Sequence, residues 1–135
     1  MLSLKYIVIP FMAAIISQSI KTLLEFIKYR KFSFHRFING MGGMPSTHSA
    51  LVSSLTSIIY LDYGVSPLFA VTLFFSLIVI YDAMGIRYES GKQAKYINMF
   101  MGSNLEEHIG HKPLEVLVGV FIGILITLIL NRMIK

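Results

Sequence analysis

Polar and apolar positions along this chain fall into long blocks rather than short periods. Four apolar segments stand out, at roughly residues 5–27, 49–63, 65–85 and 114–130. A helix needs about 20 predominantly apolar residues to cross the hydrocarbon core of a bilayer. The first, third and fourth segments reach or approach that length. The second is short, and spans only if its start at Pro45 already lies in the headgroup region. The Asp62-Tyr63-Gly64 turn is tight, so the second and third segments form an antiparallel hairpin. The pattern predicts an all-α fold: a small integral membrane helical bundle of about four transmembrane helices. Two polar connections remain, at 28–44 and 87–110. Within the second, residues 93–101 predict a short interfacial helix with Ile97 and Phe100 toward lipid. There is no internal repeat and no low-complexity tract, and residues 1–135 read as one membrane-embedded domain.

Composition points the same way. The chain is 55% hydrophobic and only 14% charged, against about 25% charged in soluble domains. It has no cysteine, which excludes disulfides, a thiol nucleophile and thiolate metal sites. The net charge of +5 fits membrane topology and headgroup contact, not nucleic-acid binding. Lys5 ahead of the apolar run 6–20 has the outline of a signal peptide. However, Gln18, Lys21, Glu25 and Lys28 follow without a small-residue cleavage site, so the segment reads as a retained helix. With four spans, both polar connections share one side of the membrane. That side carries Lys28, Arg30, Lys31, Arg36, Arg87, Lys92, Lys95 and Lys112, and the other only Lys5, Arg132 and Lys135. The bias puts the polar connections in the cytoplasm, and retained phosphate-binding cations produce the same bias.

Four constellations carry candidate chemistry. In Gly42-Gly43-Met44-Pro45-Ser46-Thr47-His48 the glycines permit tight turns, Pro45 suits a first helical position, and Ser46 or Thr47 can cap. Such a helix start binds phosphate oxygens through free N–H groups, and His48 stands beside the anion as a proton donor or acceptor. The plain alternative is a glycine turn with a stray histidine. His111 and Glu115, four residues apart, share one helix face. The carboxylate can fix one ring nitrogen and leave the other as nucleophile. A metal centre needs further ligands. His35, His48 and His108 share no helical HxxxH or HExxH pattern with His111, so no metal is expected.

In the first helix Gln18, Lys21, Glu25 and Lys28 fall within about 80° of one another. Ionisable groups inside a span are costly, so Lys21 reads as a phosphate-neutralising cation, while snorkelling accounts best for Lys28. Arg87 offers a planar fork for phosphate oxygens, with Asp82 placed to hold it, and Gly91-Lys92 follows. The alternative is a boundary ion pair. Finally, Gly119 and Gly123 form a GxxxG pattern that suggests close helix contact, within the chain or in a homodimer.

The stretches GGMPSTHSALVSSL, YDAMGIRYESGKQAKYIN and LEEHIGHKPLEVLVGVFIG together resemble the divergent branch of the type 2 phosphatidic acid phosphatase superfamily. That branch is described as related to acid phosphatases and vanadium-dependent haloperoxidases. The parent superfamily carries Lys, six residues, Arg-Pro; here Lys21 is followed by Lys28-Tyr29. It carries Pro-Ser-Gly-His; here Pro45-Ser46-Thr47-His48. It carries Ser-Arg, five residues, His, three residues, Asp. His111 and Glu115 match the second half, and Asn104-Leu105 stand at Ser-Arg, leaving Arg87 as the substitute cation. The parent is a six-helix bundle, so this chain has either a reduced site or one completed across a homodimer. The resemblance implies that His111 is a nucleophile forming a phosphohistidine and Glu115 orients it. It implies that His48 protonates the leaving oxygen and that Lys21, Lys28, Ser46, Thr47 and Arg87 hold the phosphate. Asp82, Gly43 and Lys92 are supporting residues, and no metal or cofactor is required.

The expected function is a metal-independent phosphatase for a lipid phosphate monoester or pyrophosphate, in the plasma membrane of a bacterium with its site toward the cytoplasm. Two competitors stand beside it. One is a phospholipid-headgroup binding or lipid transport protein that keeps a reduced site. The other is a membrane assembly factor, which the Lys21 stripe disfavours. The partners expected are the bilayer and a membrane lipid phosphate, and no nucleic acid.

Overall fold

The computed structural model describes residues 4–30 and 42–134. Lys31, His35, Arg36 and Gly40, which entered the reading above, lie outside the described residues. Five helices follow in order: α1 (Lys5–Tyr29), α2 (Thr47–Tyr63), α3 (Pro67–Met84), α4 (Ile86–Met101) and α5 (Pro113–Met133). The described residues contain no strand. Three stretches are long and apolar enough to cross a membrane: Lys5–Lys28, Pro67–Met101 and Pro113–Met133. The chain is an all-α membrane bundle. Most of its large apolar side chains point outward, as Phe74, Ile78, Leu117 and Phe121 do. A soluble protein could not expose so much apolar surface, whereas lipid accepts it.

The short segment turns out to be the central helix. α2 packs against α1, α3 and α5, so its buried side is not lipid-facing and need not be apolar. Ser49, Ala50, Ser53, Ser54 and Thr56 are buried on it. Their hydroxyls bond across helices: Ser54 to Thr127 at 2.6 Å, Thr56 to Ser76 at 2.7 Å, and Ser53 to the carbonyl of Val120 at 3.2 Å. Each such bond in a membrane contributes only about 0.6 kcal/mol. The larger effect of these small residues is the close helix approach they permit.

That approach is clearest between α2 and α5, which run parallel in a fixed register. Gly119 lies against the carbonyl of Ser46 and Gly123 against that of Ala50, and a Cβ on either glycine would strike that carbonyl. One turn further on, Thr127 meets Ser54. The GxxxG pattern therefore closes a contact inside the chain. Stripes spaced by four residues pack with i±4 ridges interdigitated. Helix α1 presents its own such stripe of buried residues, Ile9, Ala13, Ser17 and Lys21.

The ends are set by local chemistry. Ser46 caps α2, its Oγ accepting from the N–H of Ser49 at 3.4 Å, and Ser66 caps α3, accepting from Phe69 at 3.2 Å. Gly64, at φ 61°, ends α2 and makes the expected hairpin. At that end Asp62 receives Lys5 at 2.7 Å and the Tyr6 hydroxyl at 2.6 Å, tying α1 to α2. One expectation needs correcting. The helix placed at 93–101 begins seven residues earlier, at Ile86, after a single non-helical residue, Gly85 (φ −99°, ψ −89°). The charged residues 87–92 disguise it because they form its exposed flank and first turns.

From Gly102 the chain doubles back along α4. Asn98 organises the return, its Oδ1 accepting from Leu105 N–H at 2.8 Å and Ser103 Oγ at 2.9 Å, and its amide donating to the Leu105 carbonyl at 2.9 Å. Gly91 faces the Glu107 carbonyl and Gly110 faces the Tyr88 backbone. The return ends where His111 N–H donates to the carbonyl of Ala83 at 3.0 Å.

Candidate phosphate site

The parallel register of α2 and α5 puts their first turns side by side. Ser46 N–H donates to the Glu115 carbonyl at 3.0 Å, so the turn bearing His48 and the turn bearing Glu115 share a backbone bond. His111 precedes α5 by two residues and is fixed on its other flank to Ala83, at the end of α3. Asp82 and Arg87 straddle the α3–α4 corner, and α1 brings Lys21. One region thus collects residues from all five helices or their flanking turns.

His111 is 5% exposed, and its Nδ1 lies 3.1 Å from Glu115 Oε2. A carboxylate acceptor at Nδ1 favours the tautomer that carries its proton there. The same Oε2 accepts from the N–H of Lys112 at 3.1 Å, half of a capping box at the start of α5. Burial pushes the imidazole below its ordinary value. The hydrogen bond to Glu115 opposes that shift, the Lys21 charge adds to it, and the Gly43 backbone carbonyl also opposes it. The net direction is downward, toward the neutral ring.

Lys21 is 3% exposed, and the charges of Glu25 and Glu115 bear on it. Gly43, at φ 80°, packs on the Lys21 stem and on Glu25: a Cβ there would lie 3.3 Å from Glu25 Oε1 and 3.7 Å from Lys21 Cδ. Gly42, at φ 78°, would strike the His108 carbonyl with any side chain. Both glycines thus let the loop pass between α1 and the return segment. His48 is exposed on the first turn of α2, and the charges of Arg87, His111, Lys21 and Asp82 act on it. Arg87 donates through Nε to Asp82 Oδ2 at 2.7 Å, which orients the guanidinium while leaving its terminal nitrogens to other acceptors.

The structure therefore brings together His48, His111, Glu115, Lys21, Arg87, Asp82 and Gly43. It places four other candidates differently. The Ser46 side chain is fully buried and bonds inward to Ser49 Oγ at 2.9 Å, so only its backbone belongs to the site region. Thr47 donates its hydroxyl to Gln18 Oε1 at 2.7 Å and has no second proton for a phosphate. Lys92 is turned to Glu89 at 2.7 Å and lies over the Tyr88 ring. Lys28 stands two turns beyond Lys21 on the exposed end of α1. Asn104 and Leu105 are exposed on the return segment, where Asn98 holds them, and supply no cation. Among the described residues no three His, Asp or Glu side chains are grouped to hold a metal ion. Sequence reasoning missed the Gln18–Thr47 bond and the Asn98 hub, because a hydrogen bond across 29 residues leaves no periodic trace.

The groups brought together are a carboxylate-held imidazole, a second exposed imidazole, two cations and adjoining helix starts whose amides favour anions. A family described as "Divergent PAP2 family" matches residues 2–126. An uncharacterized membrane protein of Bacillus subtilis (strain 168), YuiD, is 36% identical over 140 residues, covering 87% of this chain and 88% of that protein. No solved structure matches. A match over nearly the whole length, with the apolar helices described above, makes this chain an integral membrane protein that belongs to the divergent PAP2 family.

Proposed function

We propose that this protein is a metal-independent phosphatase that hydrolyses a lipid phosphate monoester or pyrophosphate at the membrane surface through a phosphohistidine. The observation that carries the reading is the His111–Glu115 pair at 3.1 Å beside His48, Lys21 and Arg87. In the first step the lone pair of His111 Nε2 forms a bond to phosphorus. The bond from phosphorus to the lipid oxygen breaks, and His48 gives that oxygen its proton. In the second step water attacks the phosphohistidine, His48 takes the water's proton, the P–N bond breaks and inorganic phosphate leaves. Lys21, Arg87 and the helix-start amides stabilise charge on the phosphoryl oxygens. Such preorganised donors supply much of the rate in comparable sites, about 3–4 kcal/mol for a single well-placed donor. This reading has the site on the cytoplasmic face of a bacterial plasma membrane, and the basic bias of the polar connections supports the cytoplasmic orientation.

A second reading is supported by one specific feature. Leu105 stands where the superfamily has its phosphate-binding arginine, and both cations of the site already have carboxylates acting on them: Lys21 with Glu25 and Glu115, Arg87 with Asp82. A site with so little uncompensated positive charge could hold a headgroup without cleaving it.

The test is phosphate release by the purified protein in detergent, from diacylglycerol phosphate, phosphatidylglycerol phosphate and polyprenyl phosphate and pyrophosphate. The His111→Ala and His48→Ala variants run alongside, with vanadate as inhibitor. Release that vanadate blocks and both variants lose supports the phosphatase. No release by folded wild-type protein, together with saturable binding of the same lipids, favours the headgroup-binding reading.

A further inference from the structure

Gln18 has no part in the chemistry just described, yet its side chain ties α1 to the first turn of α2. Its Oε1 accepts the Thr47 hydroxyl at 2.7 Å, in a half-buried setting. Thr47 is adjacent to His48, and Gln18 lies one turn before Lys21 on the same polar stripe. The bridge therefore joins the element that presents His48 to the element that presents Lys21. At the far end, 13 residues before Gln18 on α1 and 15 residues after Thr47 on α2, the Lys5–Asp62 pair holds them. A hydrogen bond with a hydroxyl donor and an amide acceptor constrains both the distance and the angle between the two groups.

We propose that Gln18 is a positioning residue: through Thr47 it sets where the His48 imidazole stands relative to Lys21. The catalytic consequence rests on the phosphatase reading, but the placement of His48 does not. Displacement of a reacting group by about 1 Å costs on the order of a hundredfold in rate. Loss of the bridge should therefore appear in turnover rather than in substrate affinity.

The experiment follows His48 directly. Diethyl pyrocarbonate modifies exposed neutral histidines, and mass spectrometry of the peptides separates His48 from His108, which is exposed on the return segment and serves as internal control. Gln18→Leu and Thr47→Val each remove one partner at similar volume; Thr47→Ser keeps the hydroxyl. The expected result is a several-fold rise in the His48 modification rate in Gln18→Leu and in Thr47→Val. The double variant should be no different from either, Thr47→Ser should return the wild-type rate, and His108 should be unchanged throughout. In phosphate release, kcat falls about tenfold or more at constant KM. A His48 rate unchanged by both single variants, or single effects that add in the double variant, overturns the proposal. If wild-type protein releases no phosphate, the phosphatase reading fails and the His48 rates still decide the bridge.

Discussion

One oxygen of Glu115 serves both the imidazole of His111 and the backbone N–H of Lys112, each at 3.1 Å. The orientation of the proposed nucleophile and the start of α5 are thus set by the same carboxylate. Glu115→Ala should lower kcat by about a hundredfold or more, by analogy with carboxylates that orient catalytic histidines. It should also cost about 1 kcal/mol of stability through the lost cap. Glu115→Gln keeps an acceptor, so it should keep most of the stability while still losing rate. Thermal melting and steady-state kinetics on the same preparations separate the two effects.

The pH profile carries a signed expectation. Only neutral His111 can attack phosphorus, and its folded value is depressed mainly by burial. Protonation of His111 should therefore reduce activity only below the ordinary histidine value near 6.5, while loss of the His48 proton, whose value burial also lowers, should reduce it as pH rises. Glu115 favours the charged ring, so Glu115→Ala should move the acid limb further down. The limb is read from kcat/KM against pH. An acid limb above the ordinary histidine value would count against His111 as the titrating group.

Much of this was legible in the chain. The apolar blocks announced the helices because lipid demands length and apolarity together. His48, His111 and Glu115 announced themselves because helix-start motifs are local. The depth of α2 in the bundle was not legible from its length. A central helix surrounded by others satisfies its hydroxyls on neighbours, so Ser53, Ser54 and Thr56 look polar in sequence and are buried in the fold. The early start of α4 was hidden because its charged first turns have no apolar period. Ser46 and Thr47 looked like phosphate ligands, but bonds to Ser49 and Gln18 occupy their hydroxyls.

The α2–α5 contact makes a steric prediction. A Cβ on Gly119 would collide with the Ser46 carbonyl, and overpacking of this kind typically costs about 1–3 kcal/mol. Gly119→Val should lower the melting temperature in detergent and remove activity, because the strain falls on the turn that carries His48. Leu117→Ala, at an outward-facing position two residues away, should do neither.

Arg87 and Asp82 should behave as one unit. Arg87→Ala removes a charge-assisted donor to the phosphoryl group and should weaken vanadate inhibition by about ten- to a hundredfold. Asp82→Asn should act in the same direction but less, by loosening the guanidinium. Adding it to Arg87→Ala should change little further. Inhibition constants for the four proteins give the coupling directly.

The central claim is that phosphate passes through His111. The most direct measurement is to mix purified protein with a lipid phosphate radiolabelled in its phosphoryl group, quench in alkali, where phosphohistidine survives, and map the label by peptide. The account predicts label on the peptide bearing His111, absent from His111→Ala and accumulating in His48→Ala if hydrolysis of the intermediate is slowed more than its formation. Phosphate release by wild-type protein with no label on His111, or release undiminished in His111→Ala, would contradict it.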